Sequence, residues 1–354
     1  MVQTEEPFNG NPPLDFLCQE FVTSTDLFFS RNHGNIPLID PAHYRLSVSG
    51  MVRTPLVLTL DELRERFPRV ELMATLQCAG NRRDELIEVA PIPGELPWGA
   101  GAISNAVWSG VRLRDVLIAA GIERRARHAA FVGLDDVTRL GKTFGFGGSI
   151  PVEKAFLPET LLAYEMNGHP LTPVHGHPLR VIVPGYIGAR SVKWLREIRL
   201  QTEPSDNYFQ QRAYKLFPPH VRPETVRWEE GIMLGENTLN AVISYPAAGD
   251  ELPAGETTVL GYSIGDGHNV VQTVELSIDG GKTWQTADFL TGRQDVWTWV
   301  LWQAQIRLTP GTVEIIARAK DSAGNSQPRD AQDIWNFKGY ANNAWHRVSV
   351  QVHE

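Results

Sequence analysis

The chain has 354 residues, of which 42% are hydrophobic and 21% are charged, and its formal net charge at pH 7 is -8. This length and composition are typical of a folded protein with two domains. An acidic chain lacks the broad basic surface that nucleic-acid binding requires. No apolar run approaches the ~20 residues of a membrane-spanning helix. We therefore expect neither nucleic acid nor a membrane span.

The N-terminal stretch has no basic region followed by an apolar run, and it has no paired arginines. It therefore does not match a secretory or twin-arginine signal. The expected location is the cytoplasm, or the periplasm if a signal has been removed. Cys18 and Cys78 are the two cysteines. They stand in different contexts, and we expect both to be reduced.

Short strands and helices alternate in the first part of the chain. Residues 44–50 alternate in polarity and predict a strand. Thr59 and Glu62 form a capping-box pattern at the start of a helix. Residues 112–121 (RLRDVLIAAG) predict a helix closed by a glycine, and residues 179–183 (LRVIV) predict a buried strand. This mixture predicts an α+β domain.

A stiff segment, residues 217–223 (FPPHVRP), is the predicted connection between two domains, 1–223 and 224–354. An Asp-Gly-Gly-Lys run at 279–282 predicts a hairpin turn. Short strands with turns between them predict an all-β sandwich for the second domain. The strand-like runs are residues 240–245, 257–264, 270–278, 297–308 and 313–320.

The run 75–83 (TLQCAGNRR) carries the most information about chemistry. It places the Cys78 thiol in a turn of small residues, with Arg82 and Arg83 four and five positions later. Nearby positive charge favours the thiolate, which is the nucleophilic and metal-binding form of cysteine. The alternative is a buried free cysteine that acts as a small hydrophobic residue beside solvated arginines.

Three further segments have side chains suited to an anionic ligand, although each alone is also compatible with an ordinary polar loop. Residues 28–33 (FFSRNH) combine guanidinium, amide and imidazole donors, and residues 185–194 (GYIGARSVKW) combine glycines with two cations. The pair His175 and His177 would also suit zinc, but no further cluster of His or Cys supports that alternative. The glycine-rich run 141–151 lacks the sequence context of a P-loop.

Together these segments resemble the sulfite oxidase family of molybdenum enzymes, and the resemblance covers the whole chain. It implies a molybdopterin-binding α+β domain followed by an immunoglobulin-like dimerisation domain, and hence a homodimer. Cys78 would be the one protein ligand of molybdenum, whose other sulfurs come from the pterin cofactor; a soft thiolate suits such a metal. The chain has no His-Pro-Gly-Gly haem motif, so the expected cofactor is molybdenum with molybdopterin and without haem.

The resemblance also implies which residues form the site. The residues that bind the cofactor would be Phe29, Ser30, Arg31, Asn32, His33, Cys78, Asp135, His175, Arg180, Arg190, Ser191, Val192 and Lys193. The catalytic residues would be Cys78, Arg31, Arg83, Tyr214, Lys338 and Trp98.

One position departs from the family pattern. Sulfite-oxidising animal members have arginine where Lys338 stands, and plant nitrate reductases have methionine. Lysine keeps the charge but loses the planar fork that binds an oxyanion through two parallel hydrogen bonds.

The implied reaction is the two-electron oxidation of sulfite to sulfate, with the electrons passed to an external acceptor whose identity the sequence does not give. One alternative is reduction of nitrate, or of another oxyanion or S-oxide, at the same site. A second, from a different class, is a cofactor-free binding protein with a sandwich module and an incidental cysteine.

Overall fold

The computed structural model describes residues 1–290 and 295–354. Its helices are α1 (Leu14–Leu17), α2 (Leu60–Arg66), α3 (Arg83–Val89), α4 (Leu113–Ala120) and α5 (Val152–Ala155). Single helical turns lie at Thr25–Leu27, Pro173–His175, Gly188–Arg190, Phe209–Ala213, Trp228–Glu230 and Ala331–Asp333.

Strands form most of the regular structure. Those before residue 234 are β1 (Val2–Thr4), β2 (Asn9–Gly10), β3 (Leu46–Gly50), β4 (Leu56–Leu58), β5 (Arg69–Gln77), β6 (Ile103–Arg112), β7 (His128–Gly133), β8 (Val137–Arg139), β9 (Lys142–Phe144), β10 (Gly147–Pro151), β11 (Leu161–Met166), β12 (His169–Pro170), β13 (Arg180–Ile182), β14 (Leu195–Gln201), β15 (Lys215–Leu216) and β16 (Ile232–Met233). Those after it are β17 (Asn240–Tyr245), β18 (Glu251–Pro253), β19 (Gly255–Ile264), β20 (Val271–Ser277), β21 (Gln285–Thr286), β22 (Asp288–Phe289), β23 (Val300–Leu308), β24 (Gly311–Asp321) and β25 (His346–His353).

Local signals in the sequence explain where the helices begin and end. The Thr59 hydroxyl accepts from the Glu62 N–H, and the Glu62 carboxylate accepts from the Thr59 N–H, which is the predicted capping box of α2. Helix α4 ends at Gly121, whose φ of 68° lies in the left-handed region that glycine tolerates. The predicted strand at 44–50 forms as β3 and begins two residues later, at Leu46.

Two sheets organise the first part of the chain. One has the order β10-β7-β14-β3-β4, and the other has the order β12-β11-β6-β5 with β13 paired to β11. Helix α4 buries Val116 and Leu117 in the same apolar core as Phe131 and Ile198 from the first sheet. Because β5 ends at Gln77, the second sheet positions Cys78, which packs in a separate apolar cluster with Leu76 and Trp98.

The second part of the chain contains two sheets, β17-β19-β23-β22 and β18-β25-β24-β20-β21. Their strands contribute to one apolar cluster, as expected for two sheets packed face to face. The five predicted strands form as β17, β19, β20, β23 and β24. The predicted turn at 279–282 connects β20 to β21, which pair antiparallel. Trp299 and Trp302 are fully buried, so they belong to the interior.

The predicted connection between the domains is packed against the protein. The Phe217 ring lies 5.1 Å from the Phe337 ring and 5.8 Å from the Trp228 ring. Strands β15 and β16, on either side of this segment, pair with each other. Among residues 1–290 and 295–354, no helix combines the length and the apolar character needed to cross a membrane.

Candidate active site

A cavity lies where the end of β5 meets the loops around residues 30, 175 and 190. Eleven of the predicted site residues line it, namely Phe29, Arg31, Asn32, His33, Cys78, Asp135, His175, Arg180, Ser191, Lys193 and Tyr214. The structure therefore brings together segments that are up to 185 residues apart in the sequence, from Phe29 to Tyr214.

The turn that carries Cys78 is held tightly by backbone hydrogen bonds. The Cys78 N–H donates to the Ala102 carbonyl at 2.9 Å, and the Gly80 N–H lies 3.4 Å from Cys78 Sγ. Arg82 adopts a left-handed conformation, with φ of 64°, and α3 begins directly after it. Cys78 is only 6% exposed, and it lines the cavity.

Three side chains form a hydrogen-bonded chain on one wall. Arg31 donates to His33 Nδ1 at 3.2 Å, and His33 Nε2 lies 2.8 Å from the Tyr214 hydroxyl. Burial and the charge of Arg31 hold the pKa of His33 well below its usual value, so the imidazole is neutral near pH 7. Since Nδ1 accepts from Arg31, the one imidazole proton lies on Nε2 and points at the tyrosine oxygen. The Tyr214 hydroxyl proton is then free to be donated into the cavity.

A second group of cavity residues is cationic. Arg180 donates to the carbonyls of His175 and Ser191 at 2.9 and 3.2 Å, and Lys193 donates to the Asn32 side-chain oxygen and to a backbone carbonyl. These partners are neutral oxygens, so the charges stay available to an anionic ligand. Burial lowers the pKa of Arg180 to about 9, and burial together with Arg180 lowers the pKa of Lys193.

Asp135 is the carboxyl on this side of the cavity. It is 2% exposed and accepts the Phe146 N–H at 3.0 Å, while its neighbour in the sequence, Asp136, is exposed. Burial raises the pKa of Asp135 to about 6, although the Phe146 N–H and Lys193 act in the opposite direction. Near neutral pH the Asp135 side chain can therefore be either a protonated carboxyl or a carboxylate.

The two histidines that suggested zinc have separate hydrogen-bond partners. His175 Nε2 lies 3.0 Å from the Thr25 carbonyl, and His177 Nδ1 lies 3.1 Å from the Leu171 carbonyl. Of the two, His175 lines the cavity, and burial lowers its pKa to about 3. In the described part of the chain, no group of three or more His, Cys, Asp or Glu residues is arranged to hold a metal ion.

Four predicted site residues lie behind the cavity wall. Arg190 donates through Nε to the Leu234 carbonyl at 3.0 Å, and the Val192 side chain packs in the main core. Ser30 pairs with Gly10 through its backbone. Trp98 is fully buried in the apolar cluster that contains Cys78, and its indole N–H finds no hydrogen-bond acceptor among the described residues. These four residues support the wall rather than line it.

Arg83 and Lys338 form a second charged group beside the cavity. Arg83 donates to the carbonyls of Leu96, Lys338 and Gly339, and its guanidinium lies 5.0 Å from the centre of the Tyr340 ring. The Tyr340 ring stacks on Tyr214 at 5.3 Å, which connects this group to the cavity wall. Lys338 Nζ forms a short ion pair with Glu95.

Several wall residues were not predicted. Phe146 stacks on His33 with the rings 5.3 Å apart, and Trp194 lines the cavity next to Lys193. Both lie in segments that the sequence analysis had singled out, 141–151 and 185–194. The motif thus pointed to the segment but did not show which of its side chains lie on the cavity wall. Behind the wall, Tyr340 lies in the C-terminal segment 335–347, which resembles the closing motif of the family and contains Lys338, but it was not itself predicted. Glu95 gave no signal, because a lone glutamate in a loop resembles many surface residues.

Comparison with known proteins agrees with this layout. Residues 33–209 match the family called oxidoreductase molybdopterin binding domain, and residues 233–353 match the Mo-co oxidoreductase dimerisation domain. Sulfite oxidase of Gallus gallus is 42% identical over 355 residues, and mitochondrial sulfite oxidase of Homo sapiens is 43% identical over 363 residues. The alignments cover 98% and 99% of this chain but 76% and 65% of those proteins.

A solved structure also matches over nearly the whole chain. It is the crystal structure of the sulfane dehydrogenase SoxCD from Paracoccus pantotrophus, with a TM-score of 0.83, 25% sequence identity, and coverage of 98% of this chain and 85% of that one. Fold and cavity define an oxidoreductase that uses a molybdopterin cofactor. The chain belongs to the sulfite oxidase family, which decides against the alternative of a cofactor-free binding protein.

The residues of the cavity fit such a cofactor. Arg180 Nε is buried and has no hydrogen-bond acceptor among residues 1–290 and 295–354. A phosphate or a polar ring edge at this wall would satisfy that donor and offset the desolvation of Arg180 and Lys193. Asp135 is placed to accept from ring N–H groups, and Cys78 supplies a soft sulfur ligand.

Proposed function

We propose that the protein oxidises sulfite to sulfate in a two-electron reaction and passes the electrons to an external acceptor. The observation that carries the proposal is the convergence of Cys78, Arg31 and Tyr214 on one cavity. Its support is the family membership together with relatives named sulfite oxidase that are aligned over nearly the whole chain. When bound, the molybdenum centre supplies the two-electron oxygen-transfer chemistry.

In this proposal the chain holds the cofactor from two sides. Cys78 ligates the metal, and Arg180, Lys193 and Ser191 bind the anionic end of the pterin. Asp135 accepts hydrogen bonds from the ring, with Asn32 and His33 beside it. The buried cations and the unsatisfied Arg180 Nε support these roles because they require an anionic partner.

The substrate would lie between Cys78 and the wall formed by Arg31 and Tyr214. Arg31 attracts the anion through its charge, and Tyr214 donates its free hydroxyl proton to a substrate oxygen. His33 keeps both residues in place by accepting from one and donating to the other. Arg83 and Lys338 add positive charge behind Tyr340, whose ring stacks on Tyr214.

A pair of assays tests the activity. Purified holoprotein is assayed with sulfite and ferricyanide, and separately with nitrate and a reduced viologen. Sulfite turnover without nitrate turnover is the expected result. Nitrate reduction is the second candidate because Lys338 stands at a position where sulfite-oxidising animal members have arginine, and faster nitrate turnover would replace the proposal with it.

The proposal also includes the oligomeric state of the protein, the absence of haem and the location in the cell. The second domain, from about residue 224, is taken to be immunoglobulin-like and to form a two-fold homodimer; its match to a dimerisation domain supports this. Light scattering of the purified protein measures the mass. Haem is expected to be absent from these 354 residues, which an optical spectrum tests. A cytoplasmic location is tested by fractionation of the cells.

A further inference from the structure

Glu95 occupies an unusual position, because its carboxylate pairs with both Arg83 and Lys338, the two cations that the proposed function places behind Tyr340 to attract the substrate anion. One of its oxygens pairs with Lys338 Nζ, and the other lies 3.8 Å from Arg83 NH2. Its side chain is only 15% exposed. A buried carboxylate that engages two cations through its two oxygens makes the same kind of contacts as a bound oxyanion would.

The loop that carries Glu95 holds it in this place. The Arg83 NH1 donates to the carbonyl of the next residue, Leu96, at 2.8 Å. Arg83 Nε donates to the Lys338 and Gly339 carbonyls, both at 3.1 Å. Backbone carbonyls thus accept hydrogen bonds from Nε and NH1 of the guanidinium. The remaining nitrogen, NH2, lies nearest to Glu95. The Glu95 loop, Arg83 and Lys338 therefore form one connected unit.

This unit acts on the cavity electrostatically. Burial raises the pKa of Tyr214; the charges of Arg31 and Arg83 lower it, and those of Cys78 and Glu95 raise it. The geometric link runs through Tyr340, since the Arg83 guanidinium lies 5.0 Å from the centre of the Tyr340 ring and that ring stacks on Tyr214 at 5.3 Å. The Arg83 guanidinium also packs against Gly80, where an added Cβ would lie 2.4 Å from NH2. Gly80 is two residues from Cys78.

The net positive charge of this unit is lower than the charge that Arg83 and Lys338 alone would offer to a dianion. Arg83 and Lys338 contribute two positive charges, and Glu95 removes one of them. A doubly charged oxyanion that approached Lys338 would meet a like charge at short range, and like charges that face each other oppose binding. Lys338 would have to release Glu95 before it donated to the substrate.

We propose that Glu95 is a specificity-determining residue that competes internally with the substrate for Lys338 and Arg83. It sets the affinity of the pocket for dianions below the value that the two cations alone would give. The inference rests on the proposed function in one respect, that these two cations serve the oxyanion. It differs from a purely structural role, in which Glu95 orients the cations and so improves anion binding.

The test compares holoprotein variants by titration calorimetry with sulfate, which needs no turnover. Glu95→Gln keeps the shape and one acceptor oxygen but removes the charge. It is expected to tighten sulfate binding on the order of tenfold, since one charged competitor is lost. The matched control is Glu165→Gln, which removes the carboxylate of an exposed ion pair with Arg69 at 2.8 Å. The control is expected to bind sulfate as the wild type does.

Steady-state kinetics gives the second readout. Glu95→Gln should lower KM for sulfite and the inhibition constant of sulfate together, with a smaller change in kcat. In the double variant Glu95→Gln/Lys338→Met the gain in sulfate affinity should vanish, because the released cation is gone. Unchanged or weaker sulfate binding in the correctly folded Glu95→Gln protein overturns the inference. If no variant oxidises sulfite, the proposed function fails, while the sulfate titrations still decide the role of Glu95.

Discussion

Asp135→Asn is the substitution whose effect can be worked out most directly from the structure. The carboxyl is 2% exposed, and its pKa is about 6 in the folded chain, against 3.8 for an unperturbed aspartate. Because the folded pKa is raised, the folded state binds this proton more tightly than the unfolded state does. The stabilising contribution is therefore complete below pH 3.8 and is lost as the pH rises through about 6.

The size of the effect follows from these two values. Compared with a side chain that does not titrate, the raised pKa of Asp135 destabilises the folded protein by about 3 kcal/mol at pH 7 and by less than about 1 kcal/mol at pH 4, where the folded carboxyl is protonated. Asparagine carries no charge and can still accept the Phe146 N–H. In the cofactor-free protein, Asp135→Asn should therefore raise the free energy of unfolding at pH 7 by up to about 3 kcal/mol, with most of that gain gone at pH 4.

Urea unfolding of apoprotein, followed by tryptophan fluorescence at both pH values, measures the difference. The neighbouring Asp136 is exposed, so Asp136→Asn is the control and should change little at either pH. An equal gain at pH 4 and pH 7, or an equal gain in the control, would refute the reasoning from burial. The same Asp135→Asn protein should contain less molybdenum after purification, because the carboxylate is proposed to accept from the pterin.

Three further substitutions test other parts of the site. Cys78→Ser should abolish sulfite turnover while much of the cofactor stays bound, since most contacts lie elsewhere; Cys18→Ser, outside the cavity, should leave turnover unchanged. Tyr214→Phe should lower kcat/KM on the order of tenfold to a hundredfold through loss of one hydrogen bond to a charged group, with unchanged metal content. Arg82→Met leaves the Glu85 carboxylate without the partner that it has at 2.7 Å, which should cost about 3–5 kcal/mol and lower the melting temperature.

Much of the fold was predictable because local signals and tertiary structure agree. The capping box of α2 and the glycine that ends α4 act within one helical turn, so the sequence alone carries them. Likewise, β17 forms with the predicted bounds, since its apolar run is bracketed by turn residues. Strand β13 is shorter than the predicted 179–183, because pairing with β11 covers only Arg180–Ile182.

The site was predictable in a different way, through motifs rather than through periodicity. Those motifs brought eleven residues to one cavity, but they could not distinguish a side chain on the wall from one behind it. Arg190 and Lys193 are three residues apart in one motif, yet Arg190 donates to the Leu234 carbonyl while Lys193 lines the cavity. Glu95 could not be found at all, because its partner Lys338 is 243 residues away.

The turn that holds Cys78 is built by both halves of the chain. Arg82 donates to the Asn240 side chain and to the Ala344 carbonyl, and the Asn81 amide donates to the Tyr262 hydroxyl. The Ala79 carbonyl accepts from the backbone of Ala341. A chimera that joins the first half of this protein to the second half of a relative would keep both contacts to the backbone, at 341 and 344, provided that residue 341 is not proline. It would keep the two side-chain anchors only if the donor half has matching side chains at 240 and 262. Exchange of whole domains between relatives is therefore restricted to partners with compatible residues at these positions.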